Sequence, residues 1–152
     1  MDFYLVRHAQ AKSEAEDARR PLSDEGRREA ERVARAAVAR GVRVSAILHS
    51  DKLRSRQTAE IFRQFLAPAG GIRETRGLAP EDDPMAAKAE LEEAGEPLML
   101  VGHLPHLGRL ASLLVAGDLE RAVFEFPSAG LVCVSRLQGR WEISWTLTPQ
   151  TA

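Results

Sequence analysis

The sequence predicts an α/β fold, a three-layer α/β/α sandwich whose central sheet is mostly parallel and carries an antiparallel strand at the carboxyl terminus. Two observations indicate this fold. Apolar runs alternate with segments of helical periodicity up to Gly117, and two further runs joined by a turn signal follow. The 152 residues, 44% of them hydrophobic, are enough for one sizeable core, so residues 1–152 are predicted to form a single domain.

The strands are predicted from apolar, aromatic and β-branched runs, and the helices from apolar residues that recur every three or four positions. The first helix has the clearest ends, because Ser23 is a good N-cap, Asp24 and Glu25 supply first-turn acids, and Gly41 stands where a C-terminal cap belongs. Up to residue 75, the predicted elements are a strand at 3–6, a loop at 10–20, this helix, a strand at 42–48, a helix at 52–66 and a short strand at 72–75.

The second half of the chain begins with a Pro- and acid-rich loop at 77–84. Its clearest strand is almost wholly apolar and stops at Gly102 and His103. Pro105 then precedes a helical pattern that ends at Gly117. The predicted elements are a helix at 85–94, this strand at 97–101, the helix up to Gly117, and strands at 131–137 and 141–147 that flank a hairpin signal at 138–140.

Charge and cysteine content exclude several classes of protein. The chain has 21 Lys and Arg against 22 Asp and Glu, whereas nucleic-acid and membrane-surface binders usually carry a basic excess. Cys133 is the only cysteine, so no internal disulfide can form, and its apolar surroundings indicate a packing role. No basic leader and no apolar stretch of about 18 residues is present. We therefore expect a cytoplasmic protein that binds neither nucleic acid nor membrane.

Polar side chains follow three of the predicted strands. Arg7 and His8 end the first, Ser50 follows the second, and His103 follows the fourth, while Arg54 lies about one turn into the next helix. Because the carboxyl ends of parallel strands meet at one edge of a sheet, we expect these groups to converge. Packed cations are costly unless an anion neutralises them, which predicts a pocket for phosphate or sulfate. A neutral histidine there can attack phosphorus, and no metal-ligand spacing is present, so no metal or other cofactor is expected.

Three segments carry a resemblance to a known family. Leu5 to Ala9, Ser50 to Glu60 and Val101 to Pro105 resemble, in order and each after a strand, the three signature segments of the histidine phosphatase superfamily, also called phosphoglycerate mutase-like. The short chain and the Pro-Leu-Ser-Asp-Glu-Gly start of the first helix are most similar to the SixA-type phosphohistidine phosphatase branch. The resemblance implies the phosphoglycerate mutase-like fold and phosphatase activity.

The resemblance also implies residue roles. His8 would be the transiently phosphorylated nucleophile, and Arg7 and Arg54 would bind the phosphoryl oxygens. His103 would donate to the phosphoryl group and stabilise the charge of the transition state. One departure is Ala9, which stands where the family usually has glycine after the Arg-His pair, and we expect a mild effect because alanine adds little bulk.

A second departure concerns the general acid that many family members place after the third strand. Here that loop offers Glu81, Asp82 and Asp83, and spacing does not choose among them. Phosphohistidine has a nitrogen leaving group that can already be protonated, so it depends less on such an acid than an ester does. The ambiguity therefore favours a phosphohistidine substrate.

Four further side chains have weaker signals. Ser13 in the first loop could touch phosphate, although serine is common in loops. His106, one helical turn beyond His103, could line the rim of the pocket or be an exposed polar residue. His49 should point away from Ser50 and pack, and Arg56 lacks the positional support that Arg54 has.

The preferred function is a metal-independent phosphatase that acts through phosphorylated His8 on a phosphohistidine-bearing signalling or phosphocarrier protein. The short loops at 10–22 and 77–84 leave the site open, which suits a protein-borne phosphate. One alternative is a small-molecule phosphomonoesterase of the same superfamily, with a small phosphorylated substrate. Another, from a different class, is a non-catalytic module that binds a phosphorylated ligand.

Overall fold

The computed structural model describes residues 1–152, in which a six-stranded sheet is covered by four helices. None of these helices is both long enough and apolar enough to span a membrane. In chain order the elements are β1 (Asp2–Arg7), α1 (Asp24–Ala39), β2 (Ala46–His49), α2 (Leu53–Leu66), β3 (Ile72–Glu74), α3 (Pro84–Glu93), β4 (Leu98–Gly102), α4 (His106–Ala116), β5 (Leu131–Leu137) and β6 (Arg140–Leu147).

The strand order is β3-β2-β4-β1-β5-β6, and the predicted α/β sandwich with a mostly parallel sheet is confirmed. The pairs β2·β3, β2·β4 and β1·β4 are parallel, whereas β5 runs antiparallel to both β1 and β6. In the β1·β4 register Arg7 lies beside Gly102. The ends of β1, β2 and β4 therefore meet at one edge of the sheet, as the parallel arrangement requires.

Both faces of the sheet are buried, which explains why the central strands are continuously apolar. Along β1, Tyr4 and Val6 belong to the core that α1 and α2 cover, whereas Phe3 and Leu5 belong to the core on the opposite face, with α3 and α4. Successive side chains of a strand point to opposite faces, so one strand serves two cores. This double burial fixes the register of β1 and with it the position of the residues at its tip.

The ends of α1 form as the sequence predicts. The Ser23 side chain accepts a hydrogen bond from the Gly26 N–H at 3.0 Å, which satisfies one of the free donors of the first turn. At the other end Gly41 adopts a positive φ of 81°, in the left-handed region that favours glycine after a helix.

The predicted strand at 42–48 is wrong at its start, because β2 begins only at Ala46. The N–H of Val42 donates to the Ala37 carbonyl at 3.1 Å and so extends the end of α1. The N–H of Ser45 donates to the Pro97 carbonyl at 2.8 Å, which leads the chain into the sheet beside β4. Apolar residues at 42–45 thus belong to a helix-to-strand connection.

Candidate active site

Four basic side chains lie together where β1, β2 and β4 end, and we call them the basic edge: Arg7, His8, Arg54 and His103. Arg7 is the last residue of β1, and His8 follows it. His103 follows β4, and Arg54 lies in the first turn of α2. The ring centroids of His8 and His103 are 5.0 Å apart. The structure thus brings together residues that are far apart in sequence.

The main chain of β1 and neighbouring loops hold Arg7 in place. Its N–H donates to the Gly130 carbonyl at 3.0 Å, and Nη1 donates to the Phe126 carbonyl at 2.9 Å. Nε is buried without a hydrogen-bond partner in the chain. Burial lowers the pKa of the guanidinium, and no carboxylate forms an ion pair with it. Arg7 therefore retains donor capacity and an uncompensated charge.

The imidazole of His8 has a defined proton arrangement. Nδ1 lies 2.7 Å from the Ala9 carbonyl oxygen, which can only accept, so Nδ1 carries the proton. Nε2 is then left with its lone pair free. Burial is the main cause that lowers the pKa of His8, to about 4, and the charges of Arg54 and Arg7 act in the same direction. At neutral pH His8 is therefore an uncharged imidazole, the form that can attack an electrophile.

His103 is almost fully buried, and Ser50 holds its ring. Ser50 Oγ lies 2.6 Å from His103 Nε2 and also accepts from the Lys52 N–H at 3.3 Å. The Ser50 hydroxyl proton is then available for Nε2, an arrangement that favours a proton on His103 Nδ1, which has no partner in the chain. Burial, followed by the charge of His8, lowers the pKa of His103 to about 3.

A buried hydroxyl joins the two sides of the basic edge. Thr58 Oγ1 accepts from the Ala9 N–H at 3.0 Å and donates to the Arg54 carbonyl at 2.8 Å. The segment after His8 is thereby tied to the first turn of α2. Burial is the main cause that lowers the pKa of Arg54, and its Nε is buried without a partner.

The electrostatics of the basic edge suit a dianion. The ion pairs of the chain join other residues, so Arg7 and Arg54 face the site without a carboxylate partner. A phosphoryl group offers oxygens for both guanidiniums and would remove the cost of two neighbouring positive charges. No group of three or more His, Cys, Asp and Glu side chains in the chain is arranged to hold a metal ion.

Three carboxylates were candidates for the general acid, in the segment 77–84 that we call the acidic loop. Asp83 caps α3 by accepting from the Met85 N–H at 2.9 Å, and Asp82 accepts from the Ala79 N–H at 2.9 Å. Glu81 is exposed. None of these carboxylates forms a hydrogen bond with His8 or His103. Two of the three therefore stabilise the loop itself.

A groove of about 680 Å³ adjoins the basic edge through Asp51, the residue after Ser50. Two of the candidate acids, Asp82 and Asp83, lie along it. Four of its nine lining residues are acidic; the lining consists of Asp51, Glu74, Thr75, Arg76, Gly77, Ala79, Asp82, Asp83 and Ala86.

Neither of the two weaker candidates for substrate contact forms a hydrogen bond with a residue of the basic edge. Ser13 is exposed, and its Oγ donates to Glu16 at 3.1 Å within the first loop. His106 is fully buried, so the predicted position at the rim is wrong. It packs in α4 among apolar residues, and burial lowers its pKa against the opposing charge of Asp82 on the acidic loop.

The chain matches the model of the histidine phosphatase superfamily, branch 1, over residues 3–79, which is half of its length and includes Arg7, His8 and Arg54. The chain belongs to the histidine phosphatase superfamily. An uncharacterized protein of Picosynechococcus sp. is 38% identical over 126 residues, 78% of this chain and 75% of that protein. The superfamily is one of phosphatases, so the chain belongs among hydrolases.

Solved structures of the superfamily share the fold closely. The protein histidine phosphatase SixA, in complex with tungstate, is 25% identical with a TM-score of 0.87, covering 99% of this chain and 98% of that one. A structure from Agrobacterium tumefaciens, provisionally assigned as a SixA phosphohistidine phosphatase, is 27% identical with a TM-score of 0.80 and 97% coverage of both chains. The α-ribazole phosphatase of Shigella flexneri, at 14% identity and a TM-score of 0.81, covers 98% of this chain and 97% of that one and shares the fold alone.

Sequence reasoning missed the contribution of Thr58, and for Ser50 it noted only the position. Thr58 falls within the apolar spacing of α2, so it reads as a core residue. The signal that could have found it is its type: a buried threonine hydroxyl needs partners, and the polar turn after His8 is one place to seek them.

Proposed function

We propose that the chain is a metal-independent phosphatase that works through a phosphohistidine intermediate on His8 and removes phosphate from phosphohistidine on a signalling or phosphocarrier protein. The observation that carries the proposal is the free Nε2 of an uncharged His8 beside two guanidiniums without carboxylate partners. In this proposal residues 1–152 form one histidine phosphatase domain, and the protein acts in the cytoplasm, in keeping with its single buried cysteine.

In the first step, His8 Nε2 forms a bond to phosphorus while the bond between phosphorus and the substrate nitrogen breaks. The other ring nitrogen of the substrate histidine can carry a proton, so this ring leaves as neutral imidazole without an acid from the enzyme. Arg7, Arg54 and His103 Nδ1 hold the phosphoryl oxygens as charge moves onto them.

In the second step, water attacks phosphorus, and the bond to His8 Nε2 breaks. The water proton goes to a phosphate oxygen or to solvent, and His8 returns as neutral imidazole with its proton on Nδ1. The hydrogen bond to the Ala9 carbonyl holds that proton throughout, so Nε2 is available for the next cycle. No step needs a metal ion.

The preference for phosphohistidine rests on how the leaving group would be protonated. Asp82 and Asp83 accept hydrogen bonds that stabilise the acidic loop and the start of α3, and no carboxylate forms a hydrogen bond with the histidines of the basic edge. Similarity to SixA structures at 25% and 27% identity supports the same substrate class. The groove of about 680 Å³ beside the site supports a second candidate, a small-molecule phosphomonoesterase.

The test is phosphate release in excess chelator from a phosphohistidine-bearing carrier protein and from 4-nitrophenyl phosphate, with one enzyme preparation and His8→Ala as the matched control. We expect kcat/KM to favour the carrier protein at least about tenfold, equivalent to about 1.4 kcal/mol of transition-state binding. Preference for the aryl ester would replace the proposal with the small-molecule phosphatase. Turnover of neither substrate, or activity that chelator removes and metal restores, would overturn the mechanism.

A further inference from the structure

The first loop, residues 10–22, is held at its neck by hydrogen bonds. The Lys12 N–H donates to the Pro21 carbonyl at 2.8 Å, and Ala11 and Leu22 form an isolated antiparallel bridge. The Leu22 N–H also donates to the Gln57 side chain, on α2, at 2.7 Å. The loop is therefore tied both to itself and to the helix that carries Arg54.

Gly26 in the first turn of α1 fixes the start of the same loop. A Cβ at this position would lie 2.0 Å from the Gln10 carbonyl oxygen, so only glycine allows the close approach. The Ser23 N–H donates to that carbonyl at 3.0 Å. Gln10, two positions after His8, is thus packed directly against α1.

Arg20 lies at the end of this loop in an unusual conformation. Its φ is +50°, a left-handed value that costs energy for a residue with a side chain and is concentrated at functional sites. Its N–H donates to the Asp17 carbonyl at 2.9 Å, and its Nε donates to the Lys12 carbonyl at 3.1 Å. The strained backbone and the Nε bond together give the guanidinium a defined position.

The terminal nitrogens of Arg20 have no partner in the chain. Glu14, Glu16 and Asp17 lie in the same loop, yet none forms an ion pair with Arg20. After burial, the positive charge of Arg20 is the next cause that lowers the pKa of Arg54, and it also contributes to the lowered pKa of His8. The backbone contacts agree with this placement. Arg20 Nε is bonded to Lys12, four residues after His8, and Leu22 is bonded to Gln57, three residues after Arg54, so the guanidinium lies in the part of the loop that is joined to both sides of the basic edge.

The geometry points to Arg20 as a further substrate-binding residue, which uses its two free terminal nitrogens to bind oxygens of the phosphoryl group from the loop side of the site. This inference rests on the proposed function, because it assigns one more ligand to the same phosphoryl group. A third guanidinium exceeds the charge that Arg7 and Arg54 supply, so it favours a dianionic phosphoryl group over a monoanionic or neutral ligand.

The test measures binding of inorganic phosphate by calorimetry, which needs no turnover, together with NMR titration of the His8 ring. The variants are Arg20→Gln, Arg20→Lys and Arg20→Gly, the last because glycine accepts a positive φ without strain. Arg19→Gln is the matched control, since Arg19 is exposed, adjacent in the loop and without a side-chain hydrogen bond. Thermal unfolding verifies that each variant is folded.

We expect Arg20→Gln and Arg20→Gly to weaken phosphate binding about 10- to 100-fold, as for the loss of charge-assisted hydrogen bonds, with Arg20→Lys between them and the wild type. The His8 pKa should rise in the variants without charge, an effect that a purely structural role would not produce. Phosphate binding within about twofold of wild type in both uncharged variants would overturn the inference, because the loss of a charge-assisted hydrogen bond weakens binding by more than that. Wild-type protein that binds no phosphate would instead overturn the proposed function.

Discussion

The basic edge and the acidic loop lie beside each other but are built differently. In the basic edge, the backbone around His8 and the side chains of Arg7 and His103 are held by other groups, while their remaining polar atoms stay free. In the acidic loop, Asp82 and Asp83 accept hydrogen bonds from neighbouring N–H groups of the loop and α3. The basic edge therefore keeps free donors that suit the proposed phosphoryl group, whereas the carboxylates of the acidic loop are engaged within the loop and at the start of α3.

The largest expected effect tests the basic edge at its centre. His8→Ala removes the proposed nucleophile and should lower kcat by about 10³-fold or more, since the reaction then loses its covalent step. Rapid quench of wild type into alkaline denaturant, in which the P–N bond is stable, should trap phosphorylated His8, and the variant should give no such species. The variant should still unfold cooperatively. Activity within about tenfold of wild type would remove His8 from the nucleophile role.

A second change tests whether the rigidity of the basic edge matters. Thr58→Val removes the acceptor of the buried Ala9 N–H, which should cost about 1–3 kcal/mol of unfolding free energy. The turn after His8 would then shift, and we expect kcat to fall about 10- to 100-fold, because small misplacements are costly in catalysis. Thr58→Ser keeps the hydroxyl and is the matched control. Equal activity in both variants would show that the hydrogen bond between Ala9 and Thr58 does not position His8.

The pH dependence of stability gives an intermediate effect. His8 and His103 have pKa values of about 4 and about 3 in the folded protein, below the ordinary value of 6.5. Below pH 6.5 the unfolded chain takes up protons that the folded chain does not, so stability should fall as pH drops from 6.5 towards 4. Denaturant unfolding at a series of pH values checks this, with His8→Ala as the comparison, because its slope should be smaller. Equal slopes in that range would contradict a lowered His8 pKa.

The smallest expected effect concerns the acidic loop. Glu81→Gln, Asp82→Asn and Asp83→Asn should each change phosphohistidine turnover less than about threefold, because a nitrogen leaving group needs no enzyme acid. Asparagine is as good an N-cap as aspartate, so Asp83→Asn should leave α3 intact. The check is kcat for each variant on the carrier protein. A decrease in kcat of about 100-fold in one variant would identify that residue as a general acid and would show that the acidic loop also takes part in the reaction.

Much of the fold follows from local signals in the chain. The ends of α1 were predictable because Ser23 and Gly41 act through contacts within a few residues. Convergence of Arg7 and His103 was predictable too, since parallel strands place their carboxyl ends together. Val42 was misread because an apolar residue in a helix-to-strand connection has the same local pattern as one in a strand.

Other features depend on contacts between distant parts of the chain. His106 has the helical spacing of a residue near His103, but its full burial depends on the packing of α4 against the opposite face of the sheet. The Thr58 hydroxyl meets Ala9 only because the fold brings α2 against the segment that follows β1. The backbone of Arg20 is left-handed in a polar loop that has no periodicity to interpret.

The position of β1 between β4 and β5 has a consequence for the order in which activity arises. Tyr4 on β1 pairs with Met99 on β4 and with Cys133 on β5, so the strand that precedes His8, the proposed nucleophile, is made early and its neighbours are made late. Non-local pairing of this kind forms slowly and only after most of the chain is available. During synthesis on the ribosome, an incomplete chain therefore carries His8 without its pocket. The proposed phosphate pocket is complete only when the sheet has closed around β1.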